Sequence, residues 1–202
     1  MWKVWNDQIS IITDPFTDIG YKLPVNETAV IVLSSHDHFD HNNLSLIKGC
    51  PKIIRSEGKY QIKDSDIKMI SVFHDESSGE KRGNNLLMKF TVSGKTFLHC
   101  GDLGHDLLDD TVSKIENIDV IFIPVGGFYT INAVTAKNIV DKLNPAIVFP
   151  MHYKTEVLDF PIATYEEYLS LTEDRIRKVD SNAIILDDKD FNIRQTIILD
   201  YD

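Results

Sequence analysis

Within six residues, His36-Asp37-His38-Phe39-Asp40-His41, the chain places three imidazoles and a carboxylate suited to holding a metal ion. Along an extended segment alternate residues share a side, so His36, His38 and Asp40 can converge, and His41 can join them at a bend. Four such groups exceed what one tetrahedral ion requires. Imidazole with carboxylate suits zinc, and less selectively manganese, iron or nickel, and the surplus suggests two ions side by side. The competing reading is a solvated polar loop with histidines by chance. Against it stands the apolar run Ala29 to Leu33 just upstream, a buried strand that would fix the loop in place. The other ligand-capable residues also follow strand-like runs: His74 after Val72-Phe73, Asp102 after Phe97 to Gly101, His152 after Val148 to Met151. Taken singly, His74 or His152 reads as a structural histidine. Taken together they follow strand ends, where loops from distant sequence meet at one edge of a sandwich.

The elements that must position these groups are legible from periodicity. Residues 9–13, 29–33, 51–55 and 69–73 read as strands, and Leu86 to Val92, Ser93-Gly94 and Lys95 to Cys100 read as a hairpin. After Asp102 the pattern changes to strands alternating with helices. Leu108, Val112 and Ile115 stripe one helix, Val120 to Pro124 is a buried strand, and Ala136, Ile139, Val140 and Leu143 stripe a second helix ended by Asn144-Pro145. Ala146 to Phe149 is a further strand, Tyr165 to Leu171 a third helix, and residues 183–186 with 194–199 a final strand pair. Two face-to-face sheets with helices outside, an α/β sandwich, accommodate this order, and residues 1–202 read as one domain.

Composition narrows the class of partner. The 202 residues carry 31 acids against 21 Lys and Arg, a formal charge of −10, the wrong sign for tracking a nucleic-acid backbone or an anionic membrane. Cys50 and Cys100 cannot make a disulfide framework, so a reducing cytoplasm is the expected setting, and no signal peptide or membrane span is expected. Cys100 reads as a small buried residue, His99 as structural or helix-facing, and His105 as a neighbour of the site or part of a helix start. No G-x-S-x-G occurs, and Ser34 and Ser35 lack the cues of a nucleophile.

The combination of Asp14 in Thr13-Asp14-Pro15-Phe16, the His36 to His41 cluster, His74, Gly101-Asp102-Leu-Gly104-His105 and Pro150-Met151-His152 resembles the metallo-β-lactamase-fold hydrolases. Within them it looks like the small stand-alone hydrolases akin to the ascorbate-phosphate lactonases, to which Arg82-Gly83-Asn84, Pro124 to Gly127 and His152 to Thr155 also correspond. The resemblance implies the four-layer αββα sandwich. It further implies His36, His38 and His74 on one ion, Asp40, His41 and His152 on a second, Asp102 bridging, and Asp14 supporting from behind. One departure is visible: Trp2-Lys-Val-Trp5 stands where the family opens with a strand pair and a Gly-His element, so a shortened N-terminal strand is expected.

The expected activity is a metal-dependent hydrolysis of an ester-type bond, such as a lactone or phosphoester, in a small anionic molecule. Two divalent ions, zinc foremost, would share the attacking hydroxide, with Asp40 and Asp102 as catalytic carboxylates. Arg82, Tyr129 and Lys154, in loops flanking the metal motifs, could hold the anionic substrate. Nuclease relatives of the fold carry RNA-binding arms that this acidic chain lacks room and charge for, and flavodiiron relatives have Glu where His38 stands. The alternative is a non-enzymatic metal-binding protein that keeps the fold. A surplus of ligands argues for catalysis, since a structural zinc site closes with four.

Overall fold

The computed structural model describes residues 1–201. Four strands, β1 (Trp2–Trp5), β2 (Ser10–Thr13), β3 (Ile31–Leu33) and β4 (Lys52–Ile54), form one sheet in chain order, antiparallel at β1 and β2 and parallel thereafter. A second, eight-stranded sheet contains β5 (Gly58–Ile62), β6 (Ser65–Phe73), β7 (Asn84–Val92), β8 (Lys95–His99), β9 (Val120–Pro124), β10 (Ile147–Met151), β11 (Arg175–Val179) and β12 (Gln195–Leu199). Its order is β11-β12-β10-β9-β8-β7-β6-β5, with β8, β9, β10, β12 and β11 mutually parallel. The antiparallel pairs β6–β7 and β7–β8 bring the ends of β6 and β8 to the same edge as those of β9 and β10.

The sheets pack face to face. Ile11, Ile31, Leu33 and Ile54 of the small sheet meet Met69, Met88, Phe90, Phe122 and Phe149 of the large one. Trp2 fills the sandwich against Phe122 and Phe149, at ring-centroid distances of 4.6 and 5.2 Å, so the short first strand supplies a core anchor. On the other face of the large sheet Leu87, Leu98, Ile121 and Val148 are covered by Ile115 of α1 (Asp109–Ile115), Ala136, Ile139 and Val140 of α2 (Ala133–Leu143), and Tyr168 of α3 (Glu166–Leu171). The alternation of β-branched residues explains this double use: neighbours such as Ile121 and Phe122 point to opposite faces, and both faces are buried. Over the small sheet the fourth layer is thin, a 3-10 turn at Leu44–Leu46 with Ile47 packed on Ile12 and Val32.

Two sequence expectations are corrected at the C-terminal end. Residues 183–186 form no strand: Ile184 and Leu186 tuck against the inter-sheet core from an unpaired segment, while Ile185 is 91% exposed. The partner of β12 is β11 instead, in parallel register from Arg175 opposite Gln195 to Val179 opposite Leu199.

Candidate metal centre

Each ligand-capable residue sits just past a strand. Asp14 follows β2, His36 to His41 follow β3, His74 follows β6, Asp102 lies beyond β8 and His152 follows β10. The two sheets thus contribute to one cluster at their common edge. Asp102 is its hub: Oδ1 lies 3.1 Å from His41 Nε2, and Oδ2 lies 3.2 Å from His74 Nε2 and 3.6 Å from His152 Nε2. Asp40 Oδ2 approaches His41 Nε2 at 3.7 Å. The His36 ring centroid is 4.4 Å from that of His38, 4.5 Å from His41 and 5.0 Å from His74. Two compact donor groups result, His36–His38–His74 and His36–His41–Asp102, each with its donor atoms within 4.8 Å of one another. The first is the trio expected on one ion. The second places His36 and Asp102 with His41, while Asp40 and His152 stand at its margin.

The supporting residues explain the convergence. Asp14 Oδ1 accepts the Ser35 amide at 2.7 Å, and its Oδ2 accepts the Ser35 hydroxyl at 2.9 Å and faces His41 Nδ1 at 3.1 Å. With its proton given to Asp14, Ser35 Oγ accepts from His36 Nδ1 at 2.8 Å, which leaves His36 Nε2 as the lone-pair nitrogen. That Nε2 is buried without a hydrogen-bond partner, as are Asp102 Oδ1, His74 Nδ1 and His152 Nδ1. Buried polar atoms are normally satisfied. A set of orphans made of imidazole nitrogens and a carboxylate oxygen is the donor chemistry a divalent cation takes, so the residues present fit a metal.

The electrostatics agree. Burial would raise the Asp102 carboxyl, but His41 and His152 hold it well below the usual range; burial likewise opposes Asp14, which His41 holds at about 2. Burial and the charge of His41 push His36 down to about 3, so it stays a neutral donor. Burial disfavours charge on His41, yet Asp102 and Asp14 on either side raise it well above the ordinary histidine value. The field that favours an imidazolium there favours a metal cation equally.

Backbone geometry is specialised around the cluster. Asp14 (φ 45°) and His152 (φ 50°) both occupy the left-handed region, a conformation costing a non-glycine residue on the order of 1 kcal/mol or more and common at functional sites. Two glycines let other segments press on the ligand strands. A Cβ at Gly104 would lie 2.2 Å from the His74 carbonyl carbon, and one at Gly126 would lie 2.3 Å from the His152 carbonyl oxygen.

The remaining expected site residues divide. His105 spends both ring nitrogens on backbone, accepting the Phe73 amide at Nε2 (3.2 Å) and pairing Nδ1 with the Asp106 carbonyl (2.7 Å), so it braces the end of β6 just before His74. Arg82 lines a cleft of about 480 Å³ with His36 and His38, and its guanidinium lies 5.6 Å from the Tyr129 ring. Lys154 directs its ammonium to the Phe160 carbonyl at 3.0 Å and does not line that cleft. His99 faces the inter-sheet core beside Phe122 and Asp14 rather than the helices, because Cys100 takes the helix-side position. His99 Nδ1 accepts the Gly101 amide at 3.0 Å and burial pushes the Cys100 thiol up, so neither reads as a ligand.

Sequence reasoning missed two positioning residues. Asn85 Oδ1 accepts the Asp102 amide at 3.0 Å while its Nδ2 donates to the Cys100 carbonyl at 2.8 Å. Asp75 organises the loop that carries Arg82. Burial would raise its carboxyl, but the Arg82, Ser77, Gly79 and Lys81 amides donate to it and hold it at about 2. The only sequence cue for either is its place beside a motif.

Residues 1–152 match the family described as Beta-lactamase superfamily domain. A UPF0173 metal-dependent hydrolase of Carboxydothermus hydrogenoformans is 26% identical over 181 residues, covering 75% of this chain and 80% of that protein. A crystal structure from Thermotoga maritima, of the metallo-beta-lactamase superfamily, is 34% identical with a TM-score of 0.82, covering 98% of this chain and 92% of its own. Igni18, a metallo hydrolase from Ignicoccus hospitalis, shares the fold at 22% identity and a TM-score of 0.61. With its sheets, its edge cluster and these relatives, the chain belongs to the metallo-β-lactamase superfamily and is, within it, a metal-dependent hydrolase.

Proposed function

We propose that this protein hydrolyses an ester-type bond, in a lactone, phosphoester or similar small anionic molecule, with two divalent ions. The observation carrying this reading is the gathering, from loops of both sheets, of His36, His41, His74 and His152 around Asp102, with His38 beside His36 and His74 and Asp40 beside His41. His36, His38 and His74 would hold one ion and Asp40, His41 and His152 the other, with Asp102 between them. Zinc is the first choice, since the donors are imidazole and carboxylate and the Thermotoga maritima relative is described as Zn-dependent. When bound, the ions supply Lewis acidity and lower the pKa of water from about 16 towards 7.

The chain's own groups do the rest. Ser35, fixed by Asp14, holds His36 in the tautomer that presents Nε2. Asp40, at the margin of the cluster, would orient the attacking water and take its proton at a carboxylate oxygen. Arg82 and Tyr129 bind the anionic part of the substrate beside the centre, and Lys154 stiffens the neighbouring wall through Phe160.

The test combines elemental analysis with a panel of lactone, phosphodiester, thioester and β-lactam substrates at matched metal. Two ions per chain, with hydrolysis of an ester class, is the expected result. His38→Ala, at an exposed position, should fold normally yet lose metal and nearly all turnover. Full activity in a metal-free preparation refutes the reading, and two ions without hydrolysis of any ester class selects the non-enzymatic metal-binding protein instead.

A further inference from the structure

The cleft beside His36 and His38 holds a second arginine that the metal motifs do not account for. Arg55 follows β4 of the small sheet, and Arg82 precedes β7 of the large one, so one arginine from each sheet lines the cleft. Among the described residues Arg55 has neither an ion pair nor a hydrogen bond, although Glu57 and Asp37 share the lining. Arg82 has no carboxylate partner either; its guanidinium contacts only the Phe128 carbonyl, at 3.3 Å, and the Tyr129 ring. Neither guanidinium is spent on a carboxylate, although the chain has ten more acids than Lys and Arg. The nearby acids also make a purely electrostatic trap a poor explanation, leaving directional recognition by the planar N–H fork.

The two arms are unequally prepared. The Arg82 backbone is pinned, since Asp75 accepts its amide at 2.8 Å along with those of Ser77, Gly79 and Lys81. Arg55 stands on an exposed strand end and is free to adjust.

We infer that Arg55 and Arg82 form a two-armed clamp for a compact oxyanion, a phosphoryl or carboxylate group, on the His36–His38 side of the metal centre. Arg82 is the fixed arm and Arg55 the adaptable one. Together they select substrates whose anionic group lies one cleft-width from the bond being cut. The position of that bond rests on the hydrolytic reading above; the binding of the anion does not.

The decisive experiment follows the arginine Nε–H resonances of the zinc-loaded protein, assigned with Arg55→Lys and Arg82→Lys, during titration with methylphosphonate, acetate and neutral dimethyl methylphosphonate. Both resonances should move on one saturation curve with an anion and stay still with the neutral ester. Arg55→Gln should weaken the Kd about tenfold or more, the loss of one charge-assisted hydrogen-bonding partner. Tighter binding of methylphosphonate assigns the phosphoryl class and tighter binding of acetate the carboxylate class, and both support the clamp. An Arg55 resonance unmoved at saturation, or a Kd within twofold of the parent in Arg55→Gln, overturns it and leaves anion binding to the metal alone. Because no turnover is needed, failure of every ester in the panel would defeat the hydrolytic reading while leaving this result intact.

Discussion

Replacing Asp14 with alanine removes the acceptor for the Ser35 amide and hydroxyl, and with it the lock on the His36 tautomer. Asp14 faces the cluster only through His41 Nδ1, so the loss acts on ligand orientation and basicity. Metal affinity should fall about 10- to 100-fold, the usual cost of losing a group that orients a ligand, as read by competition with a chromogenic chelator. Asp14→Asn, which keeps an acceptor for the Ser35 amide but loses the charge beside His41, should fall between the two. This residue was legible in the sequence only through its motif. Asn85 and Asp75 were not, because each acts on backbone amides, which leave no pattern in side-chain identity. Asn85 reaches the Asp102 amide 17 residues away, across the β7–β8 hairpin.

At the scale of elements, the apolar strands β2, β3, β9 and β10 and helix α2 were readable because burial imposes periodicity on them. The outermost strands of the large sheet were not. β5 (GKYQI) and β11 (RIRKV) are charged edge strands, as edges exposed to other chains commonly are, and charge conceals the alternation. The apolar run at 183–186 misled for the opposite reason, its burial being that of a plug rather than a paired strand. The β11–β12 edge is tied by Asp174, whose 1% exposed side chain accepts from Arg194 Nε at 2.6 Å and Thr196 Oγ1 at 2.9 Å. Asp174→Ala leaves Arg194 without its nearest partner and Thr196 without its acceptor, though Asp141 still faces the solvent-touched guanidinium, and should cost about 1–2 kcal/mol in denaturant unfolding. Gly104→Ala tests the contact between segments: with a methyl 2.2 Å from the His74 backbone, the β6 end must move. A destabilisation of roughly 1–3 kcal/mol is expected, accompanied by weaker metal binding, whereas a remote overpacked site would show only the first.

For the whole molecule, a ligand that binds only the folded chain stabilises it by mass action. At a free metal concentration of 100 times Kd that amounts to about 2.7 kcal/mol, so chelation should lower the melting temperature by roughly 5–10 °C for a chain of this size. Calorimetry before and after dialysis against a chelator measures it, and restoring zinc should restore the value. No helix among the described residues is long and apolar enough to cross a membrane, and the acidic surface surrounds a centre that would be locally positive when loaded.

The donors of this centre come from opposite sides of the seam between the sheets: His36, His38, Asp40 and His41 from one, His74, Asp102 and His152 from the other. An ion held by these groups would therefore be a cross-link that the covalent chain does not provide at that edge, closing loops of tens of residues in a single act. Its dissociation would register the parting of the sheets before either sheet has lost its own hydrogen bonds. Occupancy would then work as a gauge of sandwich closure, and substitutions in the aromatic interior around Trp2 and Phe122, which contribute no donor, would be felt first as a faster off-rate of the metal.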